Sequence, residues 1–312
     1  MHPQFIASLH IRYYSFFLLA GFFAGYLLLR WRLKQDGIEG RHADNLALIL
    51  ILVCLFGAKF FNRLFYQPSV TSVWEALKFW KTGGLVFYGG LIFGIISAFL
   101  YSAIMRVALT QLADAFAPSL ALGLAFGRVG CYMAGCCWGD VCAGPEQLAC
   151  ITNAKIRYEL HTFPALSGPD FPLAVSFPRN SYPYKQHLAL GLISTRAPRS
   201  LPVHPVQLYE AVFCLLLCLL LSKAFPRRKH PGDIFCLFVM AYAAFRFGLE
   251  FLRSANPLNY WGMSISQIIS LILLSACMAL FIARRVLSCW NANRIESGSA
   301  NSLPEKSSTT KH

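Results

Sequence analysis

The sequence contains few charged residues. Asp, Glu, Lys and Arg make up 13% of its 312 residues, against about 25% in soluble domains. Hydrophobic residues make up 56%, and the mean hydropathy is +0.50. This deficit of charge excludes an ordinary soluble domain and predicts an integral membrane protein.

Acidic residues are the scarcer charged class: 14 Asp and Glu stand against 28 Lys and Arg, which gives a net charge of +14. In a membrane protein such an excess usually lies in cytoplasmic loops that face anionic lipid. No basic stripe lies on a soluble domain, so we expect no nucleic-acid partner. No small-residue cleavage site follows the first apolar run, Tyr14–Leu29, which favours an uncleaved helix over a signal peptide.

Seven apolar segments are candidates for transmembrane helices, since a spanning helix needs about 20 mostly apolar residues. Lys and Arg cluster in alternate connections, which places the N-terminus outside and the C-terminus in the cytoplasm. We therefore predict an all-α polytopic membrane protein with about seven transmembrane helices. The segments are Tyr14–Leu29, Leu46–Phe61, Leu85–Met105, Ala115–Tyr132, Val206–Leu221, Ile234–Leu252 and Met263–Ala283.

The connections divide the chain into four regions. Residues 1–138 carry helices one to four, and residues 205–290 carry helices five to seven. Residues 139–204 are rich in Pro, Ser and Gly, and we expect an extracytoplasmic loop or cap there. Residues 291–312 are polar and predict a disordered cytoplasmic tail. No internal repeat is evident.

Two of the apolar segments contain unexpected charges. Arg128 is the only formally charged residue of the fourth segment. An arginine at membrane depth costs about 2.5 to 3.5 kcal/mol on insertion scales, so we expect a functional reason for it. In the sixth segment, Arg246 and Glu250 are spaced i, i+4, and Arg253 follows on the same helix face. A structural salt bridge or a snorkelling arginine is the alternative interpretation.

The predicted topology places these charges at one depth, in the outer half of the membrane. Lys59 and Glu210, from two further segments, fall at the same depth. The excess of cations over carboxylates predicts an anionic ligand, because arginine binds phosphate bidentately. A phosphate at this depth is most simply explained as a phospholipid headgroup.

Glycines lie beside Tyr88 at the predicted outer start of the third helix. Gly89 and Gly90 follow it directly. Two interpretations remain open for them: their backbone N–H groups face an anion, or they permit close packing of helices.

Five cysteines occur around the end of the fourth segment, on the predicted outer side, where disulfides are permitted. Our first interpretation is that Cys136 or Cys137 pairs with Cys142 or Cys150. Packing thiols are the second, and metal binding or redox chemistry is the third, because no outward histidine lies at a zinc-like spacing. We expect no metal and no cofactor.

Several motifs occur in a fixed order between about Tyr13 and Ala283, namely IRYYSFFLLAGF, GGLVFYGGLIFG, DAFAPSLALGLAFGRVGCYMAGCCWG, HPVQLYE, RFGLEFLR and SISQIISL. Each alone is weak, but together they are specific. The chain resembles the prolipoprotein diacylglyceryl transferase family of the bacterial inner (cytoplasmic) membrane.

The resemblance implies an enzyme that acts on phosphatidylglycerol and the lipobox cysteine in the signal peptide of a prolipoprotein. The diacylglyceryl group passes to the cysteine thiol, and glycerol phosphate is released. Arg128 matches the family's signature arginine. Arg246 matches its essential arginine on the sixth helix, with Glu250 as the carboxylate that orients it. Gly139 matches the glycine that closes the signature, and Tyr14 a tyrosine of the pocket.

We expect Arg246 and Arg128 to bind the phosphate, and Tyr88 or Glu210 to help remove the thiol proton. Two residues depart from the family pattern: Tyr88 stands where proteobacterial members carry His, and Cys131 where the usual signature has Asn. The long 139–204 insert is a third departure. The catalytic candidates are thus Arg246, Glu250, Tyr88 and Arg128, and the substrate-binding candidates are Tyr14, Gly89, Gly90, Cys131, Gly139, Glu210 and Arg253.

Other functions remain open. One is a non-catalytic homologue that binds phospholipid or transports an anionic solute, and another is a related lipid-headgroup transferase with a different acceptor. Transport predicts polar residues that continue to the inner face. The inner halves of the predicted helices are instead apolar, which disfavours a path through the membrane.

Overall fold

A computed structural model of the protein describes most of the helical segments. The predicted partner Cys150 and much of the predicted cap lie outside the described residues. The structure describes residues 4–6, 11–66, 86–142, 172–253 and 263–300.

The regular secondary structure of the described residues is helical except for a short antiparallel strand pair, β1 (Gln4–Ile6) and β2 (Ile11–Arg12), and isolated bridges. Six of its helices are long and apolar enough to cross a membrane. The prediction of an all-α polytopic membrane protein is therefore confirmed. The described α-helices are α1 (Tyr13–Gln35), α2 (Arg41–Tyr66), α3 (Phe87–Met105), α4 (Leu109–Ala134), α5 (Tyr182–Ala189), α6 (Val206–Ala224), α7 (Asp233–Glu250) and α8 (Ile265–Ala300).

Helix α7 matches the predicted sixth span but is not one of those six. Its 18 residues include Asp233, Arg246 and Glu250. These three charges lower its apolar character, although each of them has an ionic partner. A seventh span therefore stays a prediction, as does the direction in which the chain crosses the membrane.

The helices pack in a defined order. Helix α1 lies along α4, α4 packs in turn against α6, α2 pairs with α3, and α7 pairs with α8. The core lies where α1, α4 and α6 meet, and Leu33, Leu112 and Leu221 are almost completely buried there. Many large apolar side chains instead point outward, as Leu19 on α1 and Ile104 on α3 do. A surface of this kind is what lipid-facing helices present.

One end of the bundle is held by an ionic cluster that the sequence analysis did not predict. Asp114, at the start of α4, is completely buried. Its carboxylate accepts hydrogen bonds from the N–H groups of Gly232 (2.7 Å) and Phe235 (2.9 Å), so it caps the first turn of α7. Arg228 lies 3.4 Å from the same carboxylate and 2.5 Å from that of Asp36, which follows α1. Three helices are thus joined at this end.

Part of the predicted cap has a fixed structure. Val203 forms isolated bridges with Val141 and with Val175, and Phe177 packs beneath them with 1% exposure. Helix α5 follows, and the Ser181 hydroxyl caps it by accepting from the Tyr184 N–H group.

The predicted boundaries of the four regions stay predictions. The backbone of α8 continues in helical form to Ala300, beyond the predicted start of the tail at residue 291.

Candidate active site

A buried ion pair joins α4 to α6. Arg128 Nε lies 3.0 Å from Glu210 Oε2, and the Glu210 side chain is 2% exposed. The other oxygen of this carboxylate accepts a hydrogen bond of 2.7 Å from the Tyr242 hydroxyl on α7. Both oxygens of Glu210 therefore have donors, and three helices meet at this carboxylate. A buried charge with such partners is tolerated where an unpaired one is not.

A second ion pair lies on α7. Arg246 Nη1 is 2.5 Å from Glu250 Oε2, one helical turn away on the same face. The Ser264 hydroxyl donates to the other oxygen of Glu250 at 2.9 Å. Arg246 Nη2 lies 3.5 Å from the Ser266 hydroxyl. The guanidinium is thus held on two sides, by a carboxylate and by the start of α8.

Ser264 also explains why α8 begins where it does. Its hydroxyl accepts from the Gln267 N–H group (3.2 Å), and the Gln267 side chain accepts from the Ser264 N–H group (2.9 Å). This reciprocal arrangement is a capping box of the S-x-x-Q type. One hydroxyl therefore caps a helix and contacts the carboxylate that orients Arg246.

A third arginine lies close enough to both ion pairs to interact with them. Arg253 follows α7, and it interacts electrostatically with Arg246, Glu250 and Arg128. Burial, followed by the like charge of Arg246, lowers the pKa of Arg253. Its Nε is buried and has no hydrogen-bond partner among the residues that the structure describes. Three arginine side chains therefore lie close together here, and guanidinium groups of this kind suit an anionic ligand.

Gly139 lies where three segments cross. Its N–H group donates to the carbonyl of His204, just before α6. A Cβ added at Gly139 would lie 2.5 Å from Val206 Cγ1 and 2.7 Å from the Leu252 carbonyl oxygen. Only glycine fits this position. The chain at Gly139 therefore packs closely against the start of α6 and the segment that follows α7, the two helices that carry Glu210 and Glu250.

Three cysteines converge beside Arg128. The sulfur atoms of Cys131, Cys136 and Cys137 all lie within 4.8 Å of one another. Hydrogen bonds from the Cys131 and Cys136 thiols, together with the positive charges of Arg253 and Arg128, lower the pKa of Cys137. The nine described cysteines, Cys142 among them, are free. The predicted disulfide to Cys142 is therefore absent from the described residues, and the one to Cys150 lies outside them.

Comparison with known proteins identifies the family. The family model of the prolipoprotein diacylglyceryl transferases matches residues 4–283 of the chain. The chain belongs to the prolipoprotein diacylglyceryl transferase family. The family resemblance that the sequence motifs indicated is therefore confirmed.

Curated relatives support the same membership. Three relatives, each named phosphatidylglycerol–prolipoprotein diacylglyceryl transferase, illustrate this. The relative from Clostridium tetani is 29% identical over 264 residues, which cover 85% of this chain and 89% of the relative. The one from Thermotoga petrophila is 28% identical over 272 residues, with 86% and 79% covered. The one from Cupriavidus necator is 28% identical over 301 residues, with 90% and 93% covered.

In this member of the family, the structure brings many of the predicted site residues together. Arg128, Glu210, Arg246 and Glu250 lie at one end of the bundle, on three helices. Arg253, Gly139 and Cys131 lie beside them, and the Tyr14 ring is close enough to interact with Arg128 and the cysteines.

The structure places the remaining predicted residues on α3, which packs chiefly against α2. Tyr88 is 58% exposed in the first turn of α3. Gly89 is buried, and a Cβ there would collide with the carbonyl oxygen of Gly57. A Cβ at Gly90 would lie 3.2 Å from the Cys54 carbonyl oxygen, which is a tight contact. Close helix packing thus accounts for both glycines, and a contact between them and an anion stays a prediction.

Sequence reasoning missed several residues of the site. Tyr242 is one, although it lies four residues before Arg246 and therefore on the same helix face. Ser264 is another, and its capping-box motif before an apolar run was a usable signal. Gln207 donates to the Cys136 carbonyl at 2.7 Å, and nothing in the sequence indicated that contact.

Proposed function

We propose that the protein transfers the diacylglyceryl group of phosphatidylglycerol to the lipobox cysteine thiol of a prolipoprotein, with release of glycerol phosphate. The relatives' names supply the two substrates. The observation that carries the proposal is the convergence of Arg128, Arg246 and Arg253 at one buried end of the bundle.

In this reaction the acceptor sulfur attacks a glycerol carbon, and the bond from that carbon to the phosphate oxygen breaks. Negative charge therefore grows on the leaving phosphate. Arginines aimed at that phosphate stabilise the transition state more than the ground state. Arg246 and Arg128 bind the phosphate, Glu250 and Ser266 orient Arg246, and Glu210 orients Arg128.

The acceptor thiol must lose its proton before it attacks, since the thiolate is the nucleophile. The two candidates for this step differ in their surroundings. Both oxygens of Glu210 already accept from Arg128 and Tyr242. Tyr88 is more than half exposed on α3, so it is accessible to a substrate that approaches from the side. Of the two, Tyr88 is the residue in our proposal that assists removal of the proton.

We place the protein in the bacterial inner membrane with the site in the outer leaflet. The end of the bundle opposite the site carries many basic residues. Cytoplasmic loops are enriched in Lys and Arg, which supports this orientation. The basic residues are Arg30, Arg32, Lys34, Arg41, Arg227, Arg228, Lys229, Arg284 and Arg285.

Replacing Arg246 with Lys tests the proposal. A single ammonium group cannot keep the planar, two-sided contact with Glu250 and Ser266. We expect the transfer rate to fall about 30- to 100-fold, which corresponds to a loss of about 2 to 3 kcal/mol of transition-state stabilisation. The assay is complementation of a strain depleted of its own diacylglyceryl transferase, followed by transfer of labelled lipid in detergent.

Arg285→Lys is the matched control. Arg285 forms a partly exposed ion pair with Asp233 at the other end of the bundle, so this variant should behave as the wild type does. The wild-type chain must itself restore lipidation. If it inserts correctly and fails to do so, a non-catalytic role or a different acceptor replaces the proposed function.

A further inference from the structure

The three-cysteine cluster has the geometry of a metal site. All three sulfur atoms lie within 4.8 Å of one another. In a tetrahedral zinc site each Zn–S bond is about 2.3 Å, so neighbouring sulfurs are about 3.8 Å apart. The cysteines can reach that spacing with shifts of about 1 Å or less. Sulfur ligands select soft or borderline ions such as zinc over magnesium and calcium.

The backbone holds the three thiols in this arrangement. Cys131 lies in the last turn of α4, and the chain reverses immediately after it. Gly135 (φ 69°) and Cys137 (φ 60°) both adopt left-handed backbone conformations. A non-glycine residue with a positive φ is uncommon and costs energy. Here it carries Cys137 back toward the helix end.

A buried glutamine supports the loop. Gln207 is 1% exposed, and its Nε2 donates to the Cys136 carbonyl at 2.7 Å. The N–H group of Cys136 donates to the Cys131 carbonyl at 3.0 Å. Hydrogen bonds to the residues that carry the ligands hold those ligands in position in metal sites.

The surrounding charges suit an anionic metal complex. Zinc with three thiolates carries a net charge of −1, and a fourth thiolate makes it −2. Arg128 and Arg253 both interact electrostatically with Cys137. The same arginines that suit a phosphate therefore lie beside the cysteines as well.

We propose that Cys131, Cys136 and Cys137 bind a zinc ion whose fourth ligand is the thiol of the acceptor cysteine. Three protein ligands with one open position is the arrangement of catalytic zinc. This inference rests on the proposed transferase function, and it assigns a role to the cluster that the sequence analysis ranked last. The zinc ion would stabilise the acceptor thiolate, and Tyr88 would still assist removal of the proton.

The acceptor thiol binds zinc as a thiolate, since a coordinating thiol is deprotonated by the metal. Its proton passes to solvent with the help of Tyr88. A sulfur lone pair forms the C–S bond to the glycerol carbon. The C–O bond breaks, and its electron pair stays on the oxygen of the glycerol phosphate that leaves. The product is a thioether, which carries no charge and binds zinc weakly, so it dissociates.

The first test measures metal in the purified full-length protein by elemental analysis. We expect about one zinc per chain in the wild type and less than about a tenth of that in C131S, C136S and C137S. C277S removes a thiol outside the cluster and should keep its zinc. Q207A keeps all three sulfurs and should bind zinc about 10- to 100-fold more weakly.

The second test replaces zinc with cobalt and records the cobalt–thiolate absorption. A lipobox peptide should change this spectrum, and the same peptide with serine in place of cysteine should leave it unchanged. Wild-type protein without zinc, or a triple serine variant that retains it, overturns the proposal. If such a metal-free protein still lipidates its substrate, the transferase function stands and only the zinc site is wrong. If zinc is bound but no transfer occurs, the role in activating the acceptor fails together with the proposed function.

Discussion

Replacing Ser264 with Ala should damage both the fold and the site, because one hydroxyl serves two partners. Loss of the cap on α8 costs about 1 kcal/mol. Loss of the 2.9 Å hydrogen bond to Glu250 leaves one oxygen of a buried carboxylate without that donor, which costs about 1 to 3 kcal/mol more. We expect the free energy of unfolding to fall by about 2 to 4 kcal/mol.

Activity separates the two effects. In Q267A the capping box loses its reciprocal bond, but the contact between Ser264 and Glu250 remains. This variant should lose about 1 kcal/mol and keep its transfer rate, whereas S264A should lower the rate about tenfold or more. Ser264→Thr retains the hydroxyl and should be near normal. Denaturant unfolding and lipid transfer are measured on the same detergent samples. Equal losses of rate in S264A and Q267A would refute a role for the hydroxyl in orienting Arg246.

Two further predictions follow from other parts of the structure. Gly139→Ala should abolish activity and reduce the yield of folded protein, because its Cβ would collide with Val206 and Leu252; near-normal expression and transfer would contradict the crossing described here. His187 is 3% exposed, and burial lowers its pKa to about 4. The unfolded chain therefore binds this proton first, and stability should fall as the pH drops from about 6.5 to about 4, by at most roughly 1.4 kcal/mol per pH unit. In His187→Phe the unfolding midpoint should lose that part of its pH dependence, and an unchanged pH profile would exclude His187 as its source.

The charged residues of the site were predictable because charge is rare in apolar helices. Arg128 stands alone in its segment, and the i, i+4 spacing of Arg246 and Glu250 places both on one face. The sequence does not show which carboxylate pairs with which arginine across helices. The contact between Arg128 and Glu210 depends on how α4 packs on α6, and that packing brings together residues 82 positions apart.

The cysteine cluster shows a different limit. The sequence places Cys131, Cys136 and Cys137 close together, but it does not show where α4 ends or that Cys137 adopts a positive φ. A continuous helix would have carried these thiols to different faces. The interpretation of these cysteines therefore changes from a disulfide to the proposed zinc site only when the backbone geometry is known.

The buried carboxylate of Asp114 also has a consequence for how the protein is made. Asp114 belongs to the fourth helix in the order of synthesis, but its partners Arg228, Gly232 and Phe235 are synthesised more than 100 residues later. While the intervening segment is being synthesised, Asp114 therefore lacks the three partners that it has in the finished protein. A chain truncated before Arg228 lacks all three of these partners, so we expect it to be less stable than the finished protein.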